Sequence, residues 1–187
     1  MKRFLTTIVV IYCFIFFTEA QATISFFEEH IDFSLDNNYF TINGIFSFAN
    51  KSNMLQTQQI IFPFANETHS IDSIRIINLN TLSNLDFIRL KSSVIFKITV
   101  PANDTVDLNI FYRQKKSSIN KYIITSTQSW GKPLKKAVYS LSTEKELNIK
   151  SFTYKPDTIK IIDDKKLYLW NKTDFMPKTD FEIILDD

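Results

Sequence analysis

Ser93-Val-Ile-Phe-Lys-Ile-Thr-Val-Pro-Ala-Asn-Asp-Thr-Val-Asp-Leu-Asn-Ile-Phe-Tyr-Arg113 decides the fold class. Val94, Phe96, Ile98 and Val100 fall on even positions, with Ser93, Lys97 and Thr99 between them. Pro101-Ala102-Asn103-Asp104 interrupts the pattern with turn-forming residues. Val106, Leu108, Ile110 and Tyr112 then resume it, with Asp107, Asn109 and Arg113 opposite. Apolar residues at period two mark strands with one buried and one wet face. The stretch therefore predicts an antiparallel hairpin turning at 101–104.

Outward from it, the same signal places strands at about 24–34, 39–49, 57–64, 71–78, 85–90, 121–127, 137–143, 148–153, 158–163, 166–171 and 180–185. Asp163-Asp164-Lys165 forms the turn of a late hairpin between Ile159/Ile161 and Leu167/Leu169. Irregular segments are expected at 113–120 and 172–179, and no stretch sustains a 3.6-residue apolar period. Many short strands at regular spacing indicate an all-β fold, read here as an antiparallel two-sheet β-sandwich. A barrel fits less well, because no strand alternates small and large residues as a tight barrel interior needs.

Asn43-Gly44 tests this reading, since Asn-Gly between apolar runs is a strong hairpin signal. A two-residue turn there would oppose Phe40 to Ser47 and mix the faces. One continuous strand keeps Phe40, Ile42, Gly44, Phe46 and Phe48 on one side, so Gly44 marks a bulge or a close approach under an aromatic ring.

The N-terminus reads as a cleaved signal peptide. Lys2 and Arg3 precede an apolar run from Phe4 to Phe17, and Ala20-Gln21-Ala22 supplies the small-x-small cleavage pattern. That run is shorter than the roughly 20 residues a bilayer span needs. The expected division is 1–22 signal peptide and 23–187 a single sandwich domain. Cys13 is the only cysteine of the 187 residues and lies in the leader, which leaves the trimmed chain free of disulfides, thiolate nucleophiles and cysteine metal ligands. Localisation follows as exported: periplasmic, cell-surface or extracellular, with no transmembrane anchor.

Composition excludes several classes. There are 18 Phe and only two Gly, Gly44 and Gly131, which removes Gly-rich phosphate loops. No nucleophile elbow, His-Glu-x-x-His pair or dinucleotide fingerprint occurs. Glu28, His30 and Asp32 share one face of the first strand and form a possible ligand set; the simpler reading, a wet strand face with Phe27 and Ile31 inward, is preferred, so no metal and no cofactor are assigned. His69 reads as a solvated loop residue. Asn50, Asn66, Asn103 and Asn171 head Asn-x-Ser/Thr sequons, a number near chance for this composition.

One electrostatic feature stands out. Leu108 to Thr143 contains no Asp or Glu, yet carries Arg113, Lys115, Lys116, Lys121, Lys132, Lys135 and Lys136, in a chain whose net charge is only +2. Tyr112, Tyr122, Trp130 and Tyr139 are interleaved. Such a surface suits an anionic glycan, a lipid headgroup or an acidic envelope protein; export argues against nucleic acid. Solvated edge-strand lysines that discourage sheet aggregation are the plainer explanation. The candidate binding residues are the seven basic side chains with Trp130, and no catalytic residue is assigned.

Tyr122, Thr125, Trp130, Gly131 and Pro133, in the stretch Lys121-Tyr-Ile-Ile-Thr-Ser-Thr-Gln-Ser-Trp-Gly-Lys-Pro-Leu134, resemble a signature of uncharacterised exported bacterial β-sandwich domains. The strand from Gly44 to Asn50 and Phe111-Tyr112-Arg113 are similar as well. The resemblance implies an extracytoplasmic sandwich and no particular activity. The expected function is a non-enzymatic binding or scaffolding module of the envelope or extracellular space. The alternatives are a secreted carbohydrate-active hydrolase using a carboxylate pair and a structural subunit of an envelope assembly.

Overall fold

The computed structural model describes residues 24–67 and 70–186. The leader expected at 1–22 and His69 lie outside the described residues. Fourteen strands follow in order: β1 Ile24–Leu35, β2 Tyr39–Asn50, β3 Gln56–Pro63, β4 Ile71–Asn78, β5 Ser83–Asn84, β6 Phe87–Arg89, β7 Ser93–Val100, β8 Thr105–Lys115, β9 Ile119–Tyr122, β10 Leu134–Glu144, β11 Ile149–Phe152, β12 Thr158–Ile162, β13 Lys165–Phe175 and β14 Phe181–Leu185. A 3₁₀ turn spans Thr125–Trp130 and closes on Gly131, whose φ of 67° is left-handed. The segment expected as strand 121–127 thus leaves the sheet after Tyr122, because Thr125-Ser-Thr-Gln-Ser129 bonds locally instead, with Ser126 and Ser129 hydroxyls donating to carbonyls three residues back.

The molecule is a sandwich of unequal layers. One eight-stranded sheet runs β12-β13-β10-β1-β2-β8-β4-β5. Its β1–β10 pair is parallel, so the sheet is mixed rather than purely antiparallel. The facing layer is divided into two sheets of three strands, β11-β14-β9 and β3-β7-β6. Aromatic contacts show what each covers. Phe181 of β14 packs on Phe33 of β1 and Trp170 of β13, with centroids 5.1 and 5.0 Å away. Phe62 of β3 packs on Phe46 of β2 at 5.5 Å, and Phe64 on Tyr112 of β8 at 4.8 Å. The seam between the two small sheets therefore lies over β1 and β2.

The opening stretch folds as two alternating strands, but they are not a hairpin. β7 pairs with β3 and β6, whereas β8 pairs with β2 and β4. Residues 101–104 instead cross from one layer to the other, so the two apolar faces meet inside the core. Asn50 holds this crossing: buried, it donates its amide to the carbonyls of Met54, Val100 and Pro101 at 2.8, 3.1 and 2.9 Å. Of the four sequon asparagines it alone is buried, so the folded chain offers no glycan acceptor there. The late hairpin does form, with Ile162 opposite Lys165 across Asp163-Asp164.

β2 runs unbroken through Asn43-Gly44, with Gly44 opposite Ile31 and Ile110. A Cβ on Gly44 would lie 2.6 Å from both Ile31 Cδ1 and Phe46 Cε2. The glycine is a close approach under an aromatic ring. A register shift between Phe26 and Glu28 reverses the parity of β1, and its physical consequence is specific. Phe26 and Glu29 both point into the core, and Phe27, expected inward, lies half-buried on the outer side.

Candidate ligand-binding site

The basic side chains of 113–136 are not brought together. Arg113, on the outer face of β8, makes a two-pronged ion pair with Asp72 at 2.8 and 3.2 Å and lies 4.5 Å over the Tyr39 ring. Lys121 pairs with Glu182 at 2.7 Å across β9 and β14. Lys115 and Lys116 line an open groove beside the β1–β2 turn, together with the carboxylates Glu146 and Asp186. Lys136 stands opposite Glu28 in the β1–β10 register. Lys132 and Lys135 sit at the far end of the large sheet. Tyr39 aligns with Lys115 and Ala49 with Thr105, so the two ends are about 33 Å apart at ~3.3 Å per strand residue.

That far end carries two adjoining concavities. The outer one, of about 560 Å³, is lined by Lys51, Lys132 and Lys135 with Phe27, Pro133 and Thr105, and no acidic residue lines it. Lys135 Nζ stands 5.5 Å over the Phe27 ring. Phe27 is available there because the β1 bulge turns it outward. Lys51 belongs to this set but lies outside the acid-free stretch, and the pairing of β1 with both β2 and β10 brings it to Lys132 and Lys135.

The inner concavity, of about 290 Å³, opens at the seam of the divided layer. Phe26, Phe46, Phe48 and Trp130 form its wall, with Trp130 centroids 5.9 Å from Phe26 and 5.5 Å from Phe48. The unpaired edge of β3 borders it, since β3 pairs with β7 alone. Its other surprising element is Glu29, 4 % exposed. Tyr139 donates its hydroxyl to Glu29 Oε1, and Tyr122 also bonds the carboxyl. Desolvation outweighs these two donors and raises the Glu29 carboxyl from 4.5 to about 7. Burial pushes both tyrosines well above their ordinary range. Sequence reasoning passed over Glu29, although the odd-numbered series 29, 31, 33, 35 on β1 places it among core positions.

His30 and Asp32 approach to 3.4 Å on the outer face, both about half exposed, and among the described residues no three metal-ligating side chains cluster.

No protein-family model and no curated protein matches the sequence. Solved structures do share the fold. A Legionella pneumophila protein provisionally described as nutrient-binding superposes with a TM-score of 0.68 at 15% identity, over 88% of this chain and 67% of its own. A zinc metallopeptidase of the M1 type from Deinococcus radiodurans superposes with a TM-score of 0.53 at 6% identity. A two-domain M1 zinc metallopeptidase bound to L-arginine gives 0.54 at 7%. This chain spans 42% and 43% of those two enzymes, less than half of their length. At such identities the likeness is one of fold: an all-β sandwich that recurs inside longer proteins of different activity. Among the described residues no helix is long and apolar enough to cross a membrane.

Proposed function

We propose that this protein is an exported, non-enzymatic binding module that holds an anionic glycan in the groove of Lys51, Lys132 and Lys135. The observation that carries it is the convergence of three lysines, with no acid between them, on one concave surface. Three cationic heads around a partly apolar floor suit a sugar chain bearing carboxylate or phosphate groups. The lysines meet the charges, and Phe27 with Pro133 meet the apolar sugar face. A fold shared with a protein described as nutrient-binding is compatible with a binding role. Of the other candidate basic residues, Arg113 and Lys121 are engaged by Asp72 and Glu182. Glu29 is the sole carboxyl lining the inner cavity, so two-carboxylate hydrolysis has no place in it.

Binding of the mature protein to an anionic polysaccharide tests the reading. Lys51→Glu, Lys132→Glu and Lys135→Glu together should abolish retention, while Lys115→Glu with Lys116→Glu leaves it intact. Equal retention of both variants would overturn it, as would loss on the second alone.

One observation favours a second reading, a subunit of an envelope assembly. Ile61, Ile95 and Ile88 align in one cross-strand row on the outer face of the β3-β7-β6 sheet, with Ile61 60% and Ile88 67% exposed. A contiguous apolar row on a wet face marks a contact surface. Concentration-dependent association that Ile61→Lys and Ile88→Lys remove would support this role; a monomer at all concentrations would dismiss it.

A further inference from the structure

The inner cavity is separate from the lysine groove and shares only Phe26 with it. Its chemistry is opposite in sign. Aromatic rings form its wall, Gln58, Ser126 and Ser129 contribute polar atoms, and Glu29 is the one acid; no Lys, Arg or His lines it. A carboxyl removed from water without a cation is costly when ionised. Tyr139 and Tyr122 occupy part of its bonding capacity. A carboxylate accepts at about four lone-pair sites, so acceptor positions remain. A volume of about 290 Å³ is ample for one ring carrying a short polar arm.

We propose that this cavity binds a small primary ammonium compound with an apolar, ring-sized body, its charged head against Glu29 and its body among Phe26, Phe46, Phe48 and Trp130. Charge complementarity selects the cation: an ammonium group supplies the partner that Glu29 lacks, and aromatic faces attract the same charge. The remaining ammonium protons meet the serine hydroxyls and the Gln58 amide oxygen. The groups facing Glu29 are Tyr139 from β10 and Tyr122 from β9, while His30 and Asp32 lie on the opposite face of β1. Neither tyrosine ionises in the physiological range, so Glu29 alone sets the pH response. With its carboxyl held near 7, binding expels the carboxyl proton to solvent as the ion pair forms. Affinity therefore rises with pH up to about 7 and then levels.

The test uses the mature protein with benzylammonium and its neutral counterpart benzyl alcohol, followed by calorimetry and tryptophan fluorescence. The expected results are millimolar or tighter binding of benzylammonium at pH 8, at least tenfold weaker binding of benzyl alcohol, and roughly 30-fold weaker ammonium binding at pH 5.5. Calorimetry in buffers of different ionisation enthalpy should show proton release below pH 7. Glu29→Gln should remove the preference for the cation. Equal affinity for the alcohol, a flat pH profile, no ammonium binding, or unchanged preference in a folded Glu29→Gln protein would each overturn the assignment. Should Glu29→Gln fail to fold, the pH profile and the alcohol comparison on the unsubstituted protein decide.

Discussion

Glu29→Gln makes the sharpest stability prediction. In the folded protein the Glu29 carboxyl sits at about 7 against an ordinary value of 4.5, because burial disfavours the charge more than two tyrosine hydroxyls favour it. Since the folded value is the higher one, its contribution is fully present below pH 4.5 and lost as pH rises to about 7. At about 1.4 kcal/mol per pH unit, that interval comes to about 3 kcal/mol, a large part of a domain's total stability. Glutamine keeps the shape and an acceptor for Tyr139 but has no proton to lose. The assay is urea unfolding of both proteins at several pH values from 4 to 8, taking the difference in stability at each. That difference should move in favour of Glu29→Gln by about 3 kcal/mol across the range, with no further change above pH 7.5. A difference constant to about 0.5 kcal/mol would refute a buried carboxyl at this position.

Other substitutions probe other parts of the fold. Tyr139→Phe removes a donor to the Glu29 carboxylate, so the same transition should move to higher pH, read from the same unfolding series. Gly44→Ala drives a methyl into Ile31 and Phe46 and should cost about 1–3 kcal/mol in thermal or urea unfolding. Asn50→Ala takes this donor from the Val100 and Pro101 carbonyls at the layer crossing, while Met54 keeps the Ser52 hydroxyl, and should cost a similar ~1–3 kcal/mol. Asp72→Asn, by contrast, breaks an ion pair whose partners are 37% and 45% exposed, and should cost less than about 1 kcal/mol.

Most strands were legible because period-two alternation reports a half-buried ribbon whatever its partner. For the same reason the pattern could not say which strands pair. β7 and β8 read as a hairpin since each has an apolar face and a turn lies between them, yet those faces meet across the core. The turn's direction depends on Asn50, which bonds carbonyls 50 and 51 residues further along the chain. The acid-free stretch was visible as composition, but β8 ends at Lys115 on one side of the molecule and β10 begins near Lys135 on the other. Linear clustering therefore scattered in space, while Lys51 joined from outside. Glu29 follows the core parity of β1 and was still passed over, because a carboxylate is ordinarily solvated; the Tyr122 and Tyr139 hydroxyls that bond it make its burial tolerable. The 3₁₀ turn at Thr125–Trp130 was hidden by the β-branched run before it, and that turn sets Trp130 at the cavity.

The proposed binding end of the sandwich is the one where Trp130, Lys132 and Lys135 sit. Amide chemical shifts of isotopically labelled protein spanning residues 23–187, recorded while an anionic oligosaccharide is added, test it directly. Saturable shifts confined to 24–28, 49–52 and 130–136 are the result predicted. Shifts centred on Lys115, Lys116 and the β1–β2 turn, or none at all, would contradict it.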